Sequence, residues 1–280
     1  MTPTRRTSET KHKAALIAVT TVIVGWATGA HANPRPLPFT YQSETLPAGA
    51  AEIEQFVDFV PVRALSSTGG AEPVWYLGTQ FTTEFEIGLT DRLELGLYVT
   101  YVPQPGDTFA SVPRLPSGNG AKQRLRYRLA DPGAWPVDVA LYGEVAENER
   151  EIELEAKIIL QRRFGPVRVI TNLWAEHEFY FDGEREWVLN PTLGATAELS
   201  PRYHVGVEGW MRAEFPAEDE GPRVFNMGPH AFVGPTFLAN FGRLWWTTGA
   251  YARVTDADRA VMLGDQYGRF WVRTIIGIGF

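Results

Sequence analysis

The stretch "AKQRLRYRLA" (121–130) places Lys122, Arg124, Arg126 and Arg128 at every second position. Side chains alternate sides on an extended backbone, so the four cations share one face and Leu125, Tyr127 and Leu129 take the other. Such a ladder can bind anions, orient a dipolar solute or pair with carboxylates. Carboxylates recur with the same spacing at Glu84 and Glu86, Glu151 and Glu153, and Glu176 and Glu178, and Glu94, Asp138, Glu144 and Glu186 take the polar face of their own segments. If these segments are neighbouring strands, Glu94 and Asp138 flank Arg128, and Glu84 and Glu86 lie one strand further. Glu144, Glu151, Glu153, Glu176, Glu178 and Glu186 then gather at the opposite mouth. A basic wall facing acids makes a transverse field that orients a dipolar or zwitterionic solute, and an acidic mouth favours cations. The same charges could instead fill the interior as salt bridges, because buried charges need partners.

Hydrolytic chemistry has weaker support. Beyond residue 32 the serines are Ser43, Ser66, Ser67, Ser111, Ser117 and Ser200, all in expected loops, turns or the N-terminal segment. The histidines there are His177, His204 and His230, on separate expected strands. No Ser–His–acid arrangement is visible. His177 with nearby acids is the faint candidate for a protease site at the rim, although its parity puts it on the apolar face. No metal-ligand spacing appears, and no cofactor is expected. "PSGNGAKQ" (116–123) lacks the spacing of a phosphate-binding loop and is expected at a loop tip. The acidic balance, −7 overall, argues against a nucleic-acid partner.

The dominant period throughout is two. "VWYLGTQFTTEFEIGL" (74–89) puts Trp75, Leu77, Phe81, Phe85, Ile87 and Leu89 on one face and Glu84 and Glu86 on the other. The alternation predicts twelve strands, at 52–60, 74–89, 93–102, 121–130, 137–146, 151–163, 167–179, 187–199, 203–213, 227–237, 244–254 and 269–280. Short connections such as "TDR" (90–92), "FGP" (164–166) and "SPR" (200–202) alternate with longer ones at 103–120, 215–226 and 255–268. Two hairpins share a grammar: "LTDRLELGL" (89–97) and "LSPRYHVGV" (199–207) match at Leu, a hydroxyl, Arg and Gly. A soluble sandwich or lipocalin-type barrel also alternates, but with its apolar face inward. Aromatics near strand ends on the apolar face (Trp75, Tyr101, Tyr127, Phe179, Trp187, Tyr203, Phe237, Phe270 and Phe280) favour a membrane barrel with interfacial girdles. The expected fold is therefore all-β: a single closed antiparallel transmembrane barrel of about twelve strands, with both termini periplasmic.

Both chain ends agree with export. Arg5, Arg6, Lys11 and Lys13 precede the uncharged run "AALIAVTTVIVGWA" (14–27), and Ala30 and Ala32 supply an A-x-A site. This predicts a cleaved signal peptide over 1–32, a Pro-rich periplasmic lead-in or basal strap over 33–50 and a barrel over 51–280. Losing four bases and one acid takes the net charge from −7 to −10. The absence of cysteine leaves stability to a core or a closed sheet. The final strand, with Ile276, Ile278 and Phe280 on its apolar face, resembles the C-terminal signal of bacterial outer-membrane barrels. That resemblance implies recognition by the assembly machinery and closure against the first strand.

The segments "LPFTYQSETLPAGAAEIEQFVDF" (37–59) and "TEFEIGLTDRLELGLYV" (83–99) are similar to a group of bacterial outer-membrane barrels, some grouped with transporters or the meta-pathway phenol-degradation proteins. The resemblance implies a small barrel in outer-membrane lipid and uptake of small molecules. It transfers no site residues. The expected function is a narrow channel or carrier for small solutes. The alternatives are a plugged structural or surface-interaction barrel and, behind that, a barrel enzyme with a rim site.

Overall fold

The computed structural model describes residues 32–66, 73–103, 109–111, 118–216, 229–256 and 265–280. The predicted signal peptide up to residue 31, and most of the three long connections, lie outside these residues. Fourteen strands are present among the described residues: β1 (Ala51–Ser66), β2 (Pro73–Gly88), β3 (Leu93–Tyr101), β4 (Phe109–Ser111), β5 (Gly120–Arg128), β6 (Asp138–Asn148), β7 (Glu151–Phe164), β8 (Val167–Tyr180), β9 (Arg185–Leu189), β10 (Thr192–Ser200), β11 (Tyr203–Pro216), β12 (His230–Asn240), β13 (Leu244–Arg253) and β14 (Phe270–Gly279). They form one antiparallel sheet in which β8 and β11 each pair with both β9 and β10. The sheet therefore closes on itself. β9 and β10 are two halves of one stave and β4 lies off the ring, so the barrel has twelve staves.

The departures from the expected strands have local causes. The stave expected at 187–199 is interrupted at Asn190–Pro191, because proline has no N–H to give to the ladder. β1 runs to Ser66 rather than residue 60, since its pairing with β2 continues to Leu65↔Pro73 after its pairing with β14 ends at Phe59↔Val272. β4 was not expected, and it pairs with that overhang. β12 sits three residues later than the period suggested. The "PSGNGAKQ" stretch is partly strand, since β5 begins at Gly120.

Burial is inverted relative to a soluble protein. Leu97 (43%), Leu125 (49%) and Ile276 (51%) are exposed, while Glu84 (0%) and Arg124 (1%) are fully buried. The sandwich alternative requires the reverse, so the apolar face is the lipid face. Outward aromatics form two belts. Tyr127, Phe164, Tyr203 and Phe280 lie at the end carrying the short turns, and Trp75, Tyr101, Trp187 and Phe270 at the end carrying the longer loops. Rings at both rims suit the two lipid interfaces.

The turns follow from their residues. Thr90 Oγ1 accepts from the backbone N–H of Arg92 and Leu93, and Ser200 Oγ accepts from Arg202 and Tyr203 in the matching hairpin. Gly165 takes φ 60° in the two-residue β7–β8 turn, a value suited to the first central position of a II′ hairpin. β1 pairs with β14 from Glu52↔Gly279 to Phe59↔Val272, and Phe280 N donates to Ala51 O at 2.8 Å. Phe280, Ile278 and Ile276 all face outward on this seam.

The lead-in expected over 33–50 needs correction. Residues 33–46 are not a lead-in beneath the barrel. They enter the lumen at the turn end, rise to mid-height at Phe39 and Thr40, and return to the turn end before β1. Leu37, Phe39, Tyr41 and Leu46 are buried, and so are the polar Arg35, Thr40, Gln42 and Ser43. The lumen holds apolar clusters for them: Phe39 with Val60, Trp210, Phe232 and Trp271, and Leu37 and Tyr41 with Tyr142, Ile159 and Ile170.

A charge on the lipid face should be costly. Leu97→Arg, at the centre of β3, is expected to lower stability by about 2–4 kcal/mol in urea titrations of the lipid-embedded protein. The same change at Leu89, beside the rim, should cost about 1 kcal/mol or less.

Candidate functional site

At the turn end of the lumen the charges neutralise one another. Arg124 donates through Nε and Nη2 to Glu84 Oε1 at 3.0 and 2.7 Å, and through Nη1 to Glu94 Oε1 at 2.6 Å. It also bonds to Glu86 and to the Tyr98 hydroxyl. Arg126 shares Glu94 Oε1 at 2.6 Å. The guanidinium of Arg124 lies against Gly96, where a Cβ would come within 2.7 Å of its Nε. The glycine of the shared hairpin grammar thus clears room for the ion pair. Arg35 of the inner segment completes the group, 3.0 Å from Glu54 and 3.4 Å from Glu84, with its guanidinium 4.1 Å from the Tyr41 ring centre.

Wall carboxylates and amides hold the backbone of the inner segment. Phe39 N and Thr40 N donate to Glu208 Oε1 at 3.0 and 2.6 Å, and the Tyr251 hydroxyl donates to the other oxygen. Asn172 takes the Tyr41 N–H at 2.8 Å and returns a bond to its carbonyl at 2.9 Å. Leu46 N donates to Glu94 Oε2 at 2.7 Å. A segment without secondary structure must place its N–H and C=O groups somewhere, and here the barrel wall receives them.

Above this segment lies a cavity of about 160 Å³ with Phe39 and Tyr41 in its lining. Five glutamates line it, Glu144, Glu153, Glu155, Glu176 and Glu178, against Lys122, Lys157, Arg212 and Arg273. The charge of Arg273 is taken by Asp58, at 2.7 Å, so carboxylates are in excess. Lys122 lies 3.0 Å from Glu144, and Arg212 reaches Glu176 at 2.8 Å and Glu178 at 2.5 Å. Lys157 sits 2.5 Å from Glu155, with its ammonium 3.5 Å from the Trp174 ring centre, 4.0 Å from Tyr142 and 4.4 Å from Tyr41. Aromatic faces and carboxylates together stabilise an organic cation. Four buried polar atoms on uncharged side chains of the lining have no hydrogen-bond partner: Gln80 Oε1, Thr192 Oγ1, Trp174 Nε1 and Trp210 Nε1.

The structure divides the residues expected at one solute path. Lys122, Glu144, Glu153 and Glu176 line the cavity. Glu84, Glu86, Glu94, Arg124 and Arg126 lie beneath it in the ion-pair group, closed off by the inner segment. Arg128 and Asp138 do not meet. Arg128 bonds to Asp91 O at 2.9 Å, and Asp138 takes the Gly133 N–H at 2.6 Å inside the β5–β6 turn. The register is the cause, since Arg128 opposes Ala140 and Glu94 opposes Arg126. The basic ladder is met by carboxylates of nearby strands rather than by acids across a gap. Sequence reasoning missed Arg35, Glu155, Lys157, Trp174 and Arg212. The parity that found Glu153 also points Glu155 and Lys157 inward.

Oxygens of Glu144, Glu153 and Glu155 lie within 4.8 Å of one another, as do those of Glu153, Glu176 and Glu178. These residues come from three strands, which is why spacing along the chain gave no sign of the grouping. Lysine and arginine occupy the field they create. His177, the faint rim candidate, packs outward between Phe179 and Trp187, each 4.3 Å away between ring centres.

Fold and lumen together define a closed twelve-stave β-barrel with an apolar outer face and an inserted N-terminal segment. No protein-family profile and no curated protein matches the chain. Among solved structures, an outer-membrane channel from Pseudomonas putida F1 matches with a TM-score of 0.52 at 12% identity, over 85% of this chain and 98% of its own. The NanC porin matches with a TM-score of 0.51 at 7% identity, over 82% of this chain and 98% of its own. At these identities the likeness is one of fold.

The rungs of the basic ladder should not be equivalent. Arg124→Ala removes the cation that Glu84, Glu86 and Glu94 share, leaving Arg35 and Arg126 to serve them, and is expected to cost about 3–5 kcal/mol in urea unfolding. Arg128→Ala, at the rim, should cost about 1 kcal/mol or less.

Proposed function

We propose that this chain is an outer-membrane barrel that passes or carries small solutes, with the acidic, aromatic-lined cavity as its solute site. The observation that carries this reading is a cavity with excess carboxylate and four uncharged polar side chains lacking hydrogen-bond partners. Its chemistry suits small cations and zwitterions with an apolar body. On this reading the turn end and both termini are periplasmic, and the outer strand face, ending in Ile276, Ile278 and Phe280, is read by the assembly machinery. The channel and porin barrels among the structural neighbours support it, as does the resemblance of 37–59 and 83–99 to transporter-like barrels. Passage requires residues 33–46 to give way, because they fill the turn-end half of the lumen. A permanently closed barrel is the second reading, favoured by the many bonds that fasten this segment.

Planar-bilayer conductance separates the two. The refolded chain from residue 33 is expected to give small, cation-selective steps, and deleting 33–46 should enlarge them. Glu153→Lys combined with Glu178→Lys should reduce the cation preference. Silence from both the intact and the deleted chains, with heat-modifiable gel mobility proving them folded, would overturn the channel reading. Conductance from the deleted chain alone would favour the closed one.

A further inference from the structure

Glu52 is a buried carboxylate at the turn end of the lumen, 1% exposed. Its neighbours in the lumen, Glu54, Glu84, Glu86 and Glu94, each lie within 4.0 Å of an arginine. Glu52 has no such cation among the described residues. It accepts two neutral donors instead. One is the Trp245 indole N–H, and the other is the backbone N–H of Asn33, 2.7 Å from Glu52 Oε2. A buried carboxylate without a cation is costly.

Asn33 is also the first residue after the expected cleavage at Ala32. We propose that the mature N-terminus, the α-ammonium of Asn33, is the missing counter-ion of Glu52 and pins the inner segment in the lumen. Hydrolysis by the leader-removing protease breaks the Ala32–Asn33 amide. Water's hydroxyl goes to the Ala32 carbonyl, which leaves with the leader as a carboxylate. The nitrogen stays on Asn33 and takes up protons to become an ammonium. The donor already facing Glu52 thus gains a full positive charge without moving, and a neutral hydrogen bond becomes a charge-assisted one.

The rest of Asn33 is built to hold that position. Its side-chain amide donates to Glu44 O at 3.2 Å, and its Oδ1 accepts from Gln42 Nε2 at 2.6 Å. Full seating of the inner segment is thereby tied to removal of the leader. An uncleaved chain keeps a neutral amide at Glu52 and leaves that carboxylate unpaired. The inference rests on cleavage after Ala32 and holds whether or not the barrel conducts.

The test uses protein isolated from membranes of bacteria expressing the full chain. Its intact mass is expected to correspond to a chain starting at Asn33. An amine-acylating ester is then applied to the folded protein and to the protein in urea, and acylation of the Asn33 α-amine is followed by peptide mass. We expect acylation at least about tenfold slower in the folded barrel, as for a group exposed only by local opening. Glu52→Gln should remove most of that protection. A refolded chain retaining Ala32 moves the amine out by about 3.8 Å and should lose protection with Glu52 intact, which covers the case of a Glu52→Gln barrel that does not fold. A different first residue, equal labelling of folded and unfolded protein, or protection unchanged in either variant would overturn the proposal.

Discussion

A backbone in lipid has no water to bond to, so every N–H and C=O group of a spanning strand must be met by another strand. The rest of this structure follows from that constraint. It requires the β1–β14 seam, where Glu52 through Phe59 pair with Gly279 through Val272. It turns the apolar side of each strand outward and the charged side inward. It also explains why the break at Asn190–Pro191 is tolerable. Asn190 N donates to Trp174 O at 3.0 Å and Met211 N to Pro191 O at 3.1 Å, so the neighbouring staves bridge the gap.

Turning the charged faces inward creates a second problem, since a twelve-stave lumen is narrow and its charges are dry. The chain answers it with its own N-terminal segment. Arg35 brings a cation to Glu54 and Glu84, and the N–H groups of Phe39, Thr40 and Leu46 go to Glu208 and Glu94. Wall and segment are complementary: the wall carries surplus acceptors and the segment carries donors. Above Phe39 and Tyr41 that complement runs out, and the remaining surplus of carboxylate lines the cavity.

Much of this was legible in the chain because a strand reports its two solvents locally. Leu97 beside Gly96, or Leu125 between Arg124 and Arg126, declares an apolar and a polar face without reference to any neighbour, and the aromatic girdle, export signal and terminal Phe280 pointed to the apolar one as outward. Thr90 and Ser200 declare their turns in the same way. Pairings across strands were not legible, because they depend on register. Asp138 and Arg128 looked like partners by rough strand ends, yet a two-residue offset sets Arg128 opposite Ala140. The inner segment escaped for a different reason. Residues 33–46 have no period, and a Pro-rich polar stretch looks the same whether it hangs beneath a barrel or fills one.

The sequence by itself determined the barrel: the number of staves, the outward apolar face, the aromatic belts and the closing last strand. These follow from alternation, from the aromatics at strand ends and from the signals at the two chain ends, all of which are local. Only the tertiary structure decided what the lumen contains. Pairing of β2, β3 and β5 brings Glu84, Glu94 and Arg124 together, and the inserted segment adds Arg35 to make a single charge group. It also divides the expected solute path into a sealed ion-pair layer and an open acidic cavity. No short-range pattern encodes that division, because it is a property of distances between residues far apart in the chain.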